Sequence, residues 1–258
     1  MKIAVIGAGI LGASTAYHLA LAGHNVVVLD EAHPGKATLA GAGIVCPWAT
    51  KAADESWYAL YAAGARYYDE LIAGLASRGE DQVGYRKVGA LVVADDAREY
   101  DAAAERLARR TAEAPESGGF EEITPERARE LFPPLRAGMK ALHVPGGARV
   151  DARLLAAAML RAAVALGADF RSDLATLHLD QDRVVLRDGR NKVIEADQVV
   201  VAAGAWASHI LAPLGLNHPV MPQRGQIVHL RLPGTDTSRW SVLLPMASHY
   251  LLAFDDSR

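Results

Sequence analysis

The stretch KIAVIGAGILGASTAYHLALAGHNVVVLD, residues 2–30, decides the fold. It begins with Ile3 to Ile6, a short apolar run rich in β-branched side chains, as expected for a strand buried on both faces of a parallel sheet. Small and apolar residues from Ile10 to Ala22 predict a helix, which Gly23 is placed to end. Residues 26–29 predict a second strand. The order strand, helix, strand predicts an α/β protein with a parallel sheet.

Three glycines, Gly7, Gly9 and Gly12, follow the first predicted strand with the spacing G-x-G-x-x-G. Gly7 permits a tight turn, Gly9 lets a pyrophosphate approach the backbone, and Gly12 lets the helix pack close to the strand. Asp30 ends the second strand, where a carboxylate accepts hydrogen bonds from ribose hydroxyls and repels a 2′-phosphate. The pattern predicts a dinucleotide site, without choosing between FAD and NAD. The alternative is a glycine-rich turn that serves packing alone.

Residues 31–50 are rich in Gly, Ala and Pro and predict a long loop. Lys36 and Thr38 are candidates for phosphate contact, and a solvated surface position is the alternative for Lys36. Trp48 suits either the wall of an aromatic pocket or ordinary core. Cys46 is the single cysteine, which excludes an intrachain disulfide. We interpret it as a small buried hydrophobe rather than a point of cofactor attachment or a redox sensor.

Hydrophobic periodicity predicts the remaining elements. Helices are expected over 54–77, 96–111, 125–132, 152–166 and 205–211. Strands are expected as two short pieces within 84–94 and at 141–144, 168–171, 174–179, 183–186, 192–195, 198–204, 226–232 and 250–254. The strand that runs into Gly204 is a second parallel-strand signature. We therefore predict a nucleotide-binding domain from 1–51 and 145–215, with an inserted α+β substrate or cap domain from 52–144 and 216–258.

Composition excludes several classes of protein. The formal net charge is −3, so there is no basic footprint for nucleic acid. No run of eighteen uncharged apolar residues exists, so no membrane span is predicted. The single cysteine fits a reducing compartment. We expect a cytoplasmic protein, with peripheral contact to the inner face of the membrane and homo-oligomerisation left open.

Several segments together resemble the FAD-dependent D-amino-acid oxidase and dehydrogenase family, which includes glycine oxidase. After residues 2–30, they are GAGIVCPW, ITPERARELFPPL, VDARLL, VVVAAGAWASHILAPLGL and VMPQRGQIVHL. The resemblance implies a Rossmann-type FAD-binding domain with an inserted substrate domain. It also implies FAD as the cofactor. The nine histidines are dispersed and form no metal-ligand pattern, so no bound metal is expected.

The same resemblance implies a set of cofactor contacts along the chain. They are Gly7, Gly9, Ile10, Leu11, Gly12, Asp30, Glu31, Ala37, Thr38, Ala42, Gly43, Ile44, Leu174, Ala175, Ala203, Gly204 and Trp206. Tyr250 matches the position from which members present a tyrosine to the substrate carboxylate, and a strand residue packed on the sheet is the alternative.

The reaction that the resemblance implies is hydride transfer from the Cα of a small amino acid to flavin. The substrate class is a D-amino acid, glycine or a secondary amine, and the imine product hydrolyses to a 2-oxo acid and ammonia or amine. Oxygen or a quinone is the expected electron acceptor. Chemistry of this kind belongs largely to the cofactor, so no protein base is required.

Family members continue beyond the position of Arg258, so we expect a truncated chain. The resemblance places an arginine for the substrate carboxylate and a glycine-rich segment over the flavin in that continuation. Two other functions stay open on the residues alone: an NAD-dependent dehydrogenase, and a non-catalytic nucleotide-binding subunit or fragment that needs a partner.

Overall fold

The computed structural model describes residues 1–247 and 249–257. The strands are β1 Lys2–Ile6, β2 Asn25–Leu29, β3 Ile44–Val45, β4 Arg86–Lys87, β5 Ala90–Val93, β6 Glu121–Ile123, β7 Ala141–Val144, β8 Ala148–Arg149, β9 Asp169–Arg171, β10 Ala175–Asp180, β11 Arg183–Asp188, β12 Val193–Ile194, β13 Gln198–Val201 and β14 Val242–Pro245. The α-helices are α1 Ile10–Leu21, α2 Glu55–Ala76, α3 Ala97–Thr111, α4 Pro125–Leu131, α5 Ala152–Ala165 and α6 Ala207–Leu211. Most predicted elements are thus present within a few residues of their predicted bounds.

The chain forms two compact units. The first comprises Met1–Gly41, Leu75–Val83 and Ala152–Ile227, and the second comprises Ala42–Gly74, Gly84–Asp151 and Val228–Arg258. Four segments fall in a different unit from the one that the predicted boundaries indicate: 42–51, 75–83, 145–151 and 216–227. For the segments around Gly43 and Val150 the reason is backbone pairing, since the Val150 N–H donates to the Gly43 carbonyl at 2.8 Å and both residues lie in the second unit.

A parallel sheet in the order β13-β1-β2-β9 forms the centre of the first unit. The strands β1 and β2 are buried after their first residue, which explains their continuous apolar runs. Side chains of β1 and β2 share an apolar core with the antiparallel sheet β10-β11-β12, and α1 packs against α5. The fold is α/β, as predicted.

The helix α1 ends as the sequence predicts. The N–H of Gly23 donates to the Ala20 carbonyl and the N–H of His24 to the Leu19 carbonyl, both at 3.0 Å. Gly23 has φ +78°, so this is a Schellman motif with glycine in the left-handed conformation. The turn directs the chain into β2.

Two sheets organise the second unit. One has the order β14-β5-β7-β6, in which β14 runs parallel to β5 and the other pairs are antiparallel. The other has the order β3-β8-β4 and is antiparallel. Trp48, Leu107 and Leu142 are buried in the core of this unit. Trp48 is therefore a core residue, the second of its two interpretations.

Two predicted strands are wrong. Residues 226–232 form no strand, and within 250–254 only Leu251 makes an isolated bridge, to Leu243. Val228 and Leu230 are 80% and 65% exposed. Alternating apolar residues make a strand only where a neighbouring backbone pairs with them, and β14, which the sequence did not predict, is the segment that pairs with β5. The strand β6 was also missed, because two of its three residues are glutamates.

Among the described residues, none of the helices has the length and apolar character that crossing a membrane requires.

Candidate cofactor-binding site

The turn between β1 and α1 accepts only glycine at two of its positions. Gly7 has φ +102°, and a Cβ added there would lie 2.5 Å from the carbonyl oxygen of Ala202. A Cβ on Gly12 would lie 1.9 Å from the carbonyl oxygen of Gly7. Real Cβ atoms do not approach backbone atoms so closely. The backbones of the helix, the turn and the residues after β13 are therefore in direct contact at these two glycines. These are the tasks that the sequence predicts for the first and third glycines.

The N-terminus of α1 lies at the surface of the first unit. Gly9 is its N-cap and provides no side-chain hydrogen bond. The N–H of Ile10 donates to Thr38 Oγ1 at 2.9 Å, and the side chains of Ile10 and Leu11 are 36% and 66% exposed. Backbone N–H groups at a helix N-terminus carry partial positive charge and bind phosphate. The residues present therefore fit the pyrophosphate of a dinucleotide.

Asp30 is a buried carboxylate with several partners. Its residue surface is 7% exposed. Oδ2 accepts from the Ala8 N–H at 2.6 Å, while Oδ1 accepts from the Ala32 N–H at 2.7 Å and from Lys36 Nζ at 2.5 Å. A carboxylate held at the edge of the glycine turn has further lone pairs for ribose hydroxyls. Its position fits the ribose-binding role that the sequence predicts.

The charge state of Asp30 follows from these contacts. Burial raises the pKa of its carboxyl. The hydrogen bond from Lys36, the two backbone N–H donors and the Lys36 charge lower this pKa, and together they outweigh the effect of burial. The net result is a pKa below the ordinary value of an aspartate. Asp30 is thus ionised at neutral pH and accepts hydrogen bonds only.

The residues after β13 lie beside the loop that follows β2. Ala203 and Gly204 continue from β13, and Gly204 has φ +53°. The ring of Trp206 packs on the ring of His33, with centroids 4.2 Å apart and planes tilted by 49°. A Cβ on Gly35 would lie 3.3 Å from His33 Nδ1 and 3.5 Å from Trp206 Cη2. Tertiary structure thus brings Trp206, one of the predicted cofactor contacts after β13, to the loop between Asp30 and Lys36.

Other predicted contacts lie nearby in the first unit. Glu31 is exposed, and Ala37 shares a 3-10 turn with Thr38. The Asp173 N–H donates to the Asp30 carbonyl at 3.1 Å, which places the following Leu174, 44% exposed, and Ala175, 5% exposed, close to the end of β2. Their predicted contact with the cofactor stays a prediction.

Four predicted residues belong to the second unit. Ala42, Gly43 and Ile44 lead into the pairing of β3 with β8, where Gly43 has φ +77° and a Cβ would lie 1.8 Å from the Val150 carbonyl oxygen. Tyr250 is 45% exposed and lies outside any strand. The roles of these four residues toward flavin and substrate stay predictions.

Sequence reasoning missed the partners that support the site. Lys36 was considered for phosphate, and the structure shows its ammonium on Asp30. His33 carried no local signal, because its ring partner lies far along the chain. Burial raises the pKa of the Cys46 thiol to about 12, so the thiol stays protonated, in keeping with the interpretation as a small buried hydrophobe.

With this geometry in hand, comparison with known proteins assigns the class. Residues 2–257 match the model of the FAD dependent oxidoreductase family. The chain belongs to this family, whose cofactor is FAD. The choice between FAD and NAD that the glycine motif left open is thereby made in favour of FAD.

Particular relatives refine the comparison. The chain is 42% identical to the uncharacterized oxidoreductase YurR of Bacillus subtilis (strain 168), covering 98% of this chain and 68% of that protein. It is 32% identical to glycine oxidase of Pseudomonas aeruginosa, covering 88% of this chain and 62% of the relative. The crystal structure of iminodiacetate oxidase from Chelativorans sp. BNC1 superposes with a TM-score of 0.96 at 56% identity, covering 99% of this chain and 69% of that one. The chain therefore spans about two thirds of the length of these proteins.

Proposed function

We propose that this protein is an FAD-dependent oxidoreductase that oxidises the C–N bond of a small amino acid or secondary amine. The observation that carries the proposal is the 56% identity to iminodiacetate oxidase over nearly the whole chain. The glycine turn and Asp30 support it, because they offer the backbone amides and the carboxylate that the adenosine end of FAD requires. A secondary amine that bears carboxymethyl groups is accordingly the first substrate to test.

The residues of this chain have binding roles in the proposed reaction. The amides at the start of α1 hold the pyrophosphate, and Asp30 accepts hydrogen bonds from the ribose hydroxyls. Tyr250 donates a hydrogen bond from its hydroxyl to the substrate carboxylate. When bound, FAD would supply the acceptor for the hydride from the substrate Cα, which carries both electrons of the oxidation. The amine nitrogen loses a proton, and water converts the resulting imine to a 2-oxo acid and an amine or ammonia.

Absorption spectroscopy of the purified chain tests the proposal. We expect a flavin band that bleaches when iminodiacetate, sarcosine, glycine or a D-amino acid is added without oxygen. Return of the flavin band after oxygen is readmitted, or after a quinone is added without oxygen, identifies the electron acceptor. A colourless protein that binds NAD would contradict the proposal, and so would a flavin that none of these amines reduces.

A further inference from the structure

The loop from Asp30 to Lys36 is stabilised from outside by an aromatic pair. His33 and Trp206 are separated by more than 170 positions in the sequence, yet their ring centroids lie 4.2 Å apart. Gly35 lies against both rings and donates its N–H to His33 Nδ1 at 3.1 Å. Because the tip of the loop is attached to the turn that follows β13, the residue after Gly35 is presented in a defined direction.

That residue is Lys36, and it reaches back to the start of the loop. Its ammonium lies 2.5 Å from Asp30 Oδ1, with the lysine side chain 23% exposed and the carboxylate side chain 6% exposed. The other oxygen of Asp30 accepts from the Ala8 N–H, inside the glycine turn. The carboxylate is therefore held between the glycine turn on one side and Lys36 on the other.

We infer that Lys36 is a positioning residue for cofactor binding, and that the His33–Trp206 ring pair acts through it. Lys36 fixes the orientation of Asp30 toward the adenosine ribose, and the ring pair holds Lys36 in reach. The inference rests on the proposed function and deepens it. It assigns Trp206 a supporting role in place of the predicted direct contact with the cofactor. His33, which the sequence did not single out, shares that role.

The effect should be confined to the adenosine half of the cofactor, because Asp30 has no partner in FMN, which lacks the adenosine. Apoprotein made by removing the flavin is titrated with FAD and, separately, with FMN, and binding is followed by flavin fluorescence. In Lys36→Met we expect FAD to bind about tenfold more weakly, the loss of one charge-assisted hydrogen bond. FMN affinity should stay unchanged. Lys36→Arg should restore most of the FAD affinity, and Lys192→Met, an exposed lysine of the same unit, is the matched control.

The ring pair is tested by a double-mutant cycle. We expect His33→Ala to weaken FAD binding about threefold, and the double variant with Lys36→Met to be no weaker than Lys36→Met alone, because both act through one contact. His33→Phe keeps a ring against Trp206 and should bind FAD nearly as the parent does. His178→Ala, which removes an exposed histidine of β10, serves as the control.

The outcomes separate the inference from the function. If the parent chain binds FAD and Lys36→Met binds it equally well, or loses FMN affinity in proportion, Lys36 does not position Asp30. Additive effects of His33→Ala and Lys36→Met would overturn the role of the ring pair. If the parent chain itself binds no FAD, the cofactor site and the inference both fail.

Discussion

Asp30 in the first unit and Arg149 in the second are both buried charges, and they differ in where their partners come from. The partners of the Asp30 carboxylate are Ala8, Ala32 and Lys36, all within 22 positions of it along the chain. Arg149 is 1% exposed and donates to the Gly84 carbonyl, the Ser238 carbonyl and Asp255, which lie 65, 89 and 106 positions away. A charge with local partners shapes one loop, whereas a charge with distant partners joins separate parts of the chain.

This difference indicates a ligand site in one case and a structural tie in the other. Asp30 ends a strand beside the glycine turn, so a ligand bound at that turn can share its carboxylate. Both terminal nitrogens of Arg149 donate hydrogen bonds within the protein, and its guanidinium lies 5.0 Å from the ring centre of Phe254. We expect substitutions to separate the two: loss of Arg149 should reduce stability, and loss of Asp30 should reduce cofactor affinity.

The largest effect is expected for Arg149→Met. Removing the guanidinium leaves two carbonyl oxygens and Oδ1 of Asp255 without their donor, which should lower the free energy of unfolding by about 3 kcal/mol. Urea unfolding followed by circular dichroism measures the change. Arg86→Met is the matched control, because Arg86 also pairs with Asp255, at 3.2 Å, but is 45% exposed. A loss of less than about 0.5 kcal/mol is expected there, and equal losses in the two variants would remove the distinction drawn for Arg149.

Asp30→Asn should reduce cofactor affinity, where Arg149→Met reduces stability. The amide keeps the shape but carries no charge for Lys36 or the ribose hydroxyls, so FAD affinity should fall about a hundredfold, the loss of two charge-assisted hydrogen bonds. Fluorescence titration of the apoprotein measures it. Asp169→Asn, at an exposed aspartate of β9 paired with Arg171, is the control and should bind FAD normally. Normal affinity in Asp30→Asn would exclude Asp30 from the cofactor site.

The smallest effect concerns pH. Because the pKa of Asp30 is lower in the folded protein than its ordinary value, its ionisation stabilises the fold above that ordinary value, near 4. This contribution is lost as the pH falls through the lower, folded pKa. The difference in unfolding free energy between the parent and Asp30→Asn should thus be constant from about pH 7 to 5 and shrink below about 4. A difference that grows on acidification would show that the folded pKa is raised instead.

Much of the first unit could be predicted from the sequence because its signals are local. Gly7 takes a positive φ in the turn, Gly12 approaches the carbonyl of Gly7 within the same βαβ unit, and Gly23 ends α1 through contacts within five residues. Asp30 was identified by its position at the end of β2. The contact of Lys36 with Asp30 was missed, because the sequence shows that a lysine lies in the loop after β2 but not where its side chain points.

The second unit was less predictable because its signals depend on pairing. Residues 226–232 alternate as a strand should, yet β14 is the segment that pairs with β5. Arg149 carries no pattern that distinguishes it from the exposed arginines around it. Its burial results from Gly84, Ser238 and Asp255, which the fold brings together.

By itself, the amino-acid sequence determined the α/β class, the dinucleotide turn and the carboxylate that faces it, because helix and strand periodicity and positive-φ glycines act over a few residues. Only the tertiary structure decided which strands pair, that Lys36 contacts Asp30, and that Trp206 lies on His33. The strand pairs and the Trp206–His33 contact join residues far apart in the sequence, while the Lys36–Asp30 contact spans only six positions but depends on the direction in which the lysine side chain points. Their free energy exists only once the backbone has brought the partners within a few ångströms.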